Sequence, residues 1–288
     1  MRFYLYKDIF SFHRDTYEIL MRHEAQNVII LGNLIIGNAG TDKTGWRDPA
    51  NWFMATVSDA SGVLLTGLMT PPYNLTLHFT NNQFDDKALA CFIRGTEEAG
   101  ILIPGLTAEK SLAERFAESY ASAKEVKYSV SKNLRLYELL KVDSGISITG
   151  SLRLAKERDM AFLPYWIEAF NSDCFGHPPS VQSDPEHYRY EINTGKFYVL
   201  ENNGIPVTIT KITRELQSLC CIGYVYTPPY FRRNGYATSC VAALSKSCLK
   251  NGFSRCVLYT DLSNPVSNSI YQKIGYRQIC DSSDIKFD

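Results

Sequence analysis

The segment Val225-Tyr-Thr-Pro-Pro-Tyr-Phe-Arg-Arg-Asn-Gly-Tyr-Ala-Thr238 joins an apolar strand end to a basic glycine turn and then to an amphipathic run from Ser239 to Leu249. Gly235 permits close backbone approach, Ala237 keeps its position small, and Arg232 and Arg233 can neutralise phosphate oxygens. The turn's backbone N–H groups and the positive end of the following helix face the same point. The chemistry this predicts is the cradling of a diphosphate or another anion. An Arg-x-x-Gly-x-Ala turn also occurs where packing alone demands a glycine, and then both arginines are merely solvated.

A second segment gives that turn a context. Past one more strand the chain reads Asn264-Pro-Val-Ser-Asn-Ser-Ile-Tyr-Gln-Lys-Ile-Gly-Tyr276. Asn264 before Pro265 suits the first turn of a helix, where it either caps the helix or reaches toward a ligand. Ser267 and Tyr271 are four apart and share a face. Tyr271 is then either a core residue whose hydroxyl finds a carbonyl or a phenol available for proton transfer.

In order and spacing the two segments resemble the GNAT superfamily of acyl-CoA-dependent N-acetyltransferases, over residues 219 to 280. The first is similar to that family's acyl-CoA diphosphate loop, and the second to its Asn-x-x-Ala-x-x-Leu-Tyr-x-x-x-Gly-Phe motif. The resemblance implies an α/β fold with a mixed sheet and acetyl-CoA as donor. It implies that the backbone of Val225, Tyr226 and Thr227 pairs with pantetheine and polarises the thioester. Arg232, Arg233, Asn234, Gly235, Tyr236, Ala237 and Thr238 would hold the diphosphate, Asn264 would contact the pantetheine region, and Tyr271 would protonate the departing thiolate. The acceptor would be the amine of a small molecule or of a protein. No general base stands out: Cys221, Gly223 and Tyr259 occupy the relevant strand positions, while Glu168, Asp173 and Glu201 are candidates only by location. That gap keeps a second expectation open, a CoA-binding sensor or scaffold without catalysis.

The elements that must position these residues fall into two blocks, 1–142 and 150–288, separated by the polar Asp143-Ser-Gly-Ile-Ser-Ile-Thr-Gly150. In the second block Leu152–Ala155 reads as a strand, Arg158–Phe170 as a helix containing Pro164, and 171–179 as a loop. A short helix follows near Glu186–Ile192. Asn202-Asn-Gly204 between Phe197–Leu200 and Pro206–Ile212 signals a hairpin. The strand–helix–strand unit from 219 to 259 should be parallel, with a helix over Val266–Ile274 and a last strand from Tyr276. The first block echoes this order. Phe53–Val57, Gly62–Met69, Leu75–Phe79, Ile101–Ile103 and Leu134–Leu139 read as strands, and Asp86–Glu98 and Glu109–Ala121 as helices. Thr80-Asn-Asn-Gln-Phe-Asp-Asp86 is acidic and lacks glycine, so phosphate would be poorly held there. The expectation is two GNAT-like domains in tandem, the first a degenerate copy.

Composition narrows the setting. The 30 basic and 30 acidic residues give a formal net charge of zero, which supplies no electrostatic attraction to nucleic acid or to an anionic membrane. The longest apolar run, Val28–Ile36, falls short of the roughly 20 residues that span a bilayer. The start, Met1-Arg-Phe-Tyr-Leu-Tyr-Lys, has no signal-peptide pattern. The eight cysteines show no Cys-x-x-Cys pair and no histidine at metal-ligand spacing, so the expectation is reduced thiols, no metal and a cytoplasmic protein, monomeric or homodimeric. Cys240, Cys248 and Cys256 read as small core residues.

Overall fold

The computed structural model describes residues 1–40, 48–81, 84–176 and 185–288. They form two compact units. The first is Met1–Leu136 with Asp261–Ser263 and Ile279–Asp288; the second is Tyr137–Thr260 with Asn264–Gln278.

In the first unit β1 (Arg2–Leu5), α1 (Ile9–Met21) and α2 (Val28–Ala39) precede β2 (Phe53–Asp59), β3 (Gly62–Met69) and β4 (Leu75–Phe79). The apolar run at Val28 is thus a helix, and among the described residues no helix is long and apolar enough to cross a membrane. Then come α3 (Asp86–Glu98), β5 (Gly105–Glu109), α4 (Lys110–Lys124) and β6 (Tyr128–Leu139), whose last three residues count with the second unit. The chain's final strand, β12 (Arg277–Phe287), runs antiparallel to β5 from Ser282↔Glu109 to Lys286↔Gly105. The last ten residues, Ile279–Asp288, therefore count with the first unit. Strands follow the order β1-β2-β3-β4-β5-β12-β6, with β4 and β5 parallel. Phe92 of α3 and Phe116 and Tyr120 of α4 are buried against this sheet. Each such side chain contributes roughly 2 to 3 kcal/mol of burial.

The strand expected at Ile101–Ile103 forms instead at Gly105–Glu109. Pro104 has no N–H to give a ladder, and the run before it does other work. Ile103 is buried and its N–H donates to the Tyr120 hydroxyl at 3.2 Å. The ladder starts at Gly105, which lies against the Ile285 carbonyl where a Cβ would fall 2.5 Å from that oxygen, and the Pro104 carbonyl still accepts from the Phe287 N–H at 3.1 Å.

The second unit contains β7 (Ser151–Leu154), a 3-10 turn (Glu157–Ala161), α5 (Leu163–Phe175), α6 (Pro185–Asn193), β8 (Phe197–Asn202), β9 (Ile205–Glu215), β10 (Leu219–Tyr226), α7 (Tyr236–Lys250), β11 (Arg255–Asp261, whose last residue counts with the first unit) and α8 (Pro265–Ile274). Pro164 sits in the first turn of α5, where its missing N–H costs nothing. The helix expected from Arg158 accordingly starts later and continues through Asn171–Phe175, ending at Gly176; the rest of the anticipated loop lies outside the described residues. The Asn203-Gly204 turn has φ of 50° and 76°, as a two-residue hairpin with positive φ at both positions requires. β10 and β11 are parallel, and the order beyond them is β11-β10-β9-β8-β7.

Candidate active site

The strand end anticipated at Val225 to Thr227 is distorted in two ways. β10 and β11 pair over Leu219↔Arg255, Cys220↔Cys256 and Cys221↔Val257, and the ladder stops there although both strands run on to Tyr226 and Asp261. On the other side, Gly223 faces Lys211 and Tyr226 faces Ile209, so three steps of β10 match two of β9. Tyr224 absorbs the extra residue at φ 53°. A non-glycine side chain in the left-handed region costs on the order of 1 kcal/mol. The bulge turns the strand end out of the ladder, leaving backbone donors and acceptors of Val225 and its neighbours for something other than β11. Thr227 anchors this end by a 2.9 Å contact between its hydroxyl and that of Thr208.

The turn that follows leaves the start of its helix without a side-chain partner. Arg233 at φ 66° and Gly235 at φ 75° both lie in the left-handed region, and Gly235 is the N-cap of α7. α7 has no side-chain cap and no acidic residue in its first turn. Asn234 spends its amide on the turn itself, donating to the carbonyls of Phe231 and Arg232 at 3.2 Å each. Tyr236 accepts from Asn202 at 2.8 Å, which ties the helix start to the β8–β9 hairpin, while Ala237 and Thr238 are half-buried in the first turn. The first-turn N–H groups thus converge without a carboxylate to occupy them. Arg232 does not extend outward as a free cation. Its Nε donates to the Thr227 carbonyl at 2.9 Å and its Nη2 pairs with Asp173 at 2.9 Å. Arg233 is exposed.

Tyr271, on α8, is buried, and its hydroxyl makes no hydrogen bond among the described residues. Burial, with the Cys174 and Cys240 thiols nearby, raises its pKa well above the usual phenol range, so the phenol stays protonated at neutral pH. Val225 packs against the apolar cluster that contains Tyr271, which brings the strand end and the phenol to the same core. The Tyr137 hydroxyl joins α8 to the end of β6, donating to Asn268 and accepting from Gln272. Asn264 caps α8: its Oδ1 accepts from the Ser267 N–H at 3.1 Å, and it is exposed.

The anticipated base candidates are each engaged. Glu201 accepts from Arg153 at 2.6 Å and Arg158 at 3.2 Å, and Arg153 holds its carboxyl below the ordinary range. That carboxylate belongs to an ion network with Asp159, which sits 2.6 Å from Arg153. Asp173 is the partner of Arg232. Glu168 accepts from the Tyr188 hydroxyl at 2.5 Å. Glu168 shares α5 with Trp166 and Phe170, whose rings meet Tyr226 at 6.5 Å and Tyr224 at 4.8 Å. α5 therefore walls the bulged strand with aromatic surface. Sequence reasoning missed this wall because the bulge at Tyr224 has no marker other than an aromatic at a strand position. In the first unit, a separate cavity of about 250 Å³ is lined by Arg2, Tyr6, Asp15 and Thr56 among others.

Residues 209–284 match the FR47-like protein family. No curated protein matches the sequence. Among solved structures, the chain is similar to an acetyltransferase of the GNAT family from Colwellia psychrerythraea, at 10% identity and TM-score 0.60, covering 100% of this chain and 99% of that one. It is likewise similar to a GCN5-related N-acetyltransferase from Sphaerobacter thermophilus, at 13% identity and TM-score 0.59, covering 99% and 96%. The chain has the GNAT acetyltransferase fold, and the stretch of it that carries the bulged strand, the glycine turn and the buried tyrosine matches the FR47-like family.

Proposed function

We propose that the second unit is an acyl-CoA-dependent N-acyltransferase that moves an acetyl group from acetyl-CoA to the amine of a small molecule or a protein. The observation that carries this reading is the pairing of an uncapped α7 N-terminus with a bulged, unladdered strand end on the same β10–α7 crossover. The residues fit the donor. Where a Cβ would stand on Gly235 no atom lies within 4 Å, so the turn is open to an approaching diphosphate. The amides of Asn234 to Thr238 would hold that group with the Arg233 side chain, and the backbone of Val225 to Thr227 would hold the chain beyond it.

When bound, acetyl-CoA supplies the activated thioester. Tyr271 contributes a phenol kept neutral by burial, a hydrogen-bond donor for a sulfur that gains charge. The aromatic wall of α5 excludes water from the side of β10 where an amine would enter. Glu168 is the carboxylate on that wall, and a proton from the acceptor ammonium could pass to it through water. The first block, 1–142, reads as a degenerate GNAT-like domain and 150–288 as the transferase domain. Both contain a parallel strand–helix–strand crossover, β4-α3-β5 and β10-α7-β11.

Thiol release from acetyl-CoA in the presence of an amine panel tests this, comparing the wild type with Tyr271→Phe and Gly235→Glu. Loss of turnover in both variants supports the reading, and unchanged turnover in both sinks the site assignment. A second reading, a CoA-binding sensor without catalysis, is favoured by the engagement of Glu201 and Asp173 in ion pairs. Calorimetric binding of acetyl-CoA without turnover on any amine selects it, and absence of binding defeats both.

A further inference from the structure

Three cysteines that are far apart in sequence meet in the core of the second unit. Cys220 and Cys256 are register partners in the β10–β11 ladder, with sulfurs 3.6 Å apart. Cys248, on α7, packs over them, and all three sulfurs lie within 4.8 Å of one another. All three are buried, at 0%, 3% and 0% exposure for Cys220, Cys248 and Cys256. A cation bound by three sulfurs at about 2.3 Å in a plane sets them about 4 Å apart, so the cluster needs little movement to close on one.

The donor set selects the cation. Among the described residues no imidazole or carboxylate joins the three sulfurs, whereas structural zinc sites hold four ligands. Three sulfurs without an imidazole or carboxylate ligand suit a soft ion that is content with low coordination. We propose that Cys220, Cys248 and Cys256 form a closed site for monovalent copper, a use of these cysteines that their spacing in the sequence does not reveal. Each thiolate formed on binding releases its proton to solvent, so affinity rises with pH. The site would staple α7 to β10 and β11. The inference does not rest on the acyltransferase reading, because it concerns the inner face of these elements and predicts metal uptake without acetyl-CoA.

The test uses the full chain, reduced and anaerobic, titrated with Cu(I) against a chromophoric copper chelator. Copper per chain is then measured after gel filtration, and the number of sulfur neighbours by X-ray absorption. The expected result is one copper per chain with three sulfur neighbours, retained when the partly exposed Cys91, Cys174 and Cys280 are all replaced by serine. Cys248→Ala, which removes one of the three sulfurs, should weaken binding at least 100-fold. If that variant does not fold, the wild type serves: copper should protect three cysteines from alkylation in mild denaturant. The proposal is overturned by no stoichiometric copper, by undiminished binding in folded Cys248→Ala, or by uptake of zinc and not copper.

Discussion

Helices α3 and α7 each connect two parallel strands of their unit, yet they begin in opposite ways. At the start of α3 the Asp85 carboxylate accepts from the N–H groups of Lys87 and Ala88 at 2.9 and 3.0 Å, and Asp86 adds a second negative charge. At the start of α7, Gly235 offers no side chain and the first turn holds no acid. One helix end is neutralised from within its own sequence; the other keeps its partial positive charge uncompensated by any side chain of its own first turn. The two crossovers share a topology, so their difference in capping lies in two or three residues, and the proposed difference in anion binding would follow from it.

The largest test makes α7 begin as α3 does. Gly235→Asp places a carboxylate at the N-cap, and Gly235→Asn places a neutral group of the same shape, which tolerates the left-handed backbone. Two unit charges about 4 Å apart at an effective dielectric near 20 repel by about 4 kcal/mol, or roughly 1000-fold in affinity. Calorimetry with acetyl-CoA should therefore show about a 1000-fold loss for the aspartate and less than tenfold for the asparagine. Equal losses in both would mean that backbone strain, not charge, defines the turn.

Tyr271→Phe sharpens the same contrast on the catalytic side. The phenol makes no hydrogen bond among the described residues, so its removal should leave the fold and donor affinity intact while lowering kcat about 100-fold. Because burial raises its pKa, the wild-type rate should show no alkaline fall from this group up to pH 10. A variant that loses affinity and keeps kcat would return Tyr271 to the core.

These elements were largely legible in the sequence, because each carried its signal locally. Gly235, the Asn203-Gly204 pair and Pro164 dictate backbone shapes by their own chemistry, and the structure places a helix start, a hairpin and a first helical turn at them. What escaped was set by distant partners. Gly105–Glu109 has an ordinary pattern and becomes a strand because β4 and β12 flank it, and β12 is the far end of the chain. Cys220, Cys248 and Cys256 look unrelated at their spacing, since a strand, a helix and a second strand must fold before the sulfurs meet. Glu201 reads as a solitary carboxylate, and only the fold brings Arg153, 48 residues earlier, to it.

The units should also differ toward acid. In the first, burial, reinforced by neighbouring His23, holds the His78 imidazole down to about 4, and its Nε2 has no hydrogen-bond partner among the described residues. The unfolded chain binds that proton near pH 6.5, so the stability is complete above that pH and is lost as pH falls toward 4. In the second, burial of Asp159 is outweighed by Arg153 and the Lys156 N–H, and its lowered pKa withdraws stability only as pH falls through the usual carboxylate range and below it. Urea denaturation should show a loss of about 2 kcal/mol between pH 6.5 and 5, and His78→Asn should flatten that slope. The same slope in the variant would assign the acid sensitivity elsewhere.

The smallest effect inverts the first test by removing the cap that α7 lacks. Asp85→Ala leaves the Lys87 and Ala88 N–H groups without their carboxylate and should destabilise the chain by about 1 kcal/mol, read as a lowered urea midpoint at unchanged slope. It should create no acetyl-CoA site. α3 would gain free donors, but Asp86 keeps a negative charge in its first turn, and nothing there provides the open glycine position of Gly235. A second equivalent of acetyl-CoA bound by Asp85→Ala would mean that an uncapped helix end suffices, and that the glycine turn and bulged strand are not what distinguishes the second unit.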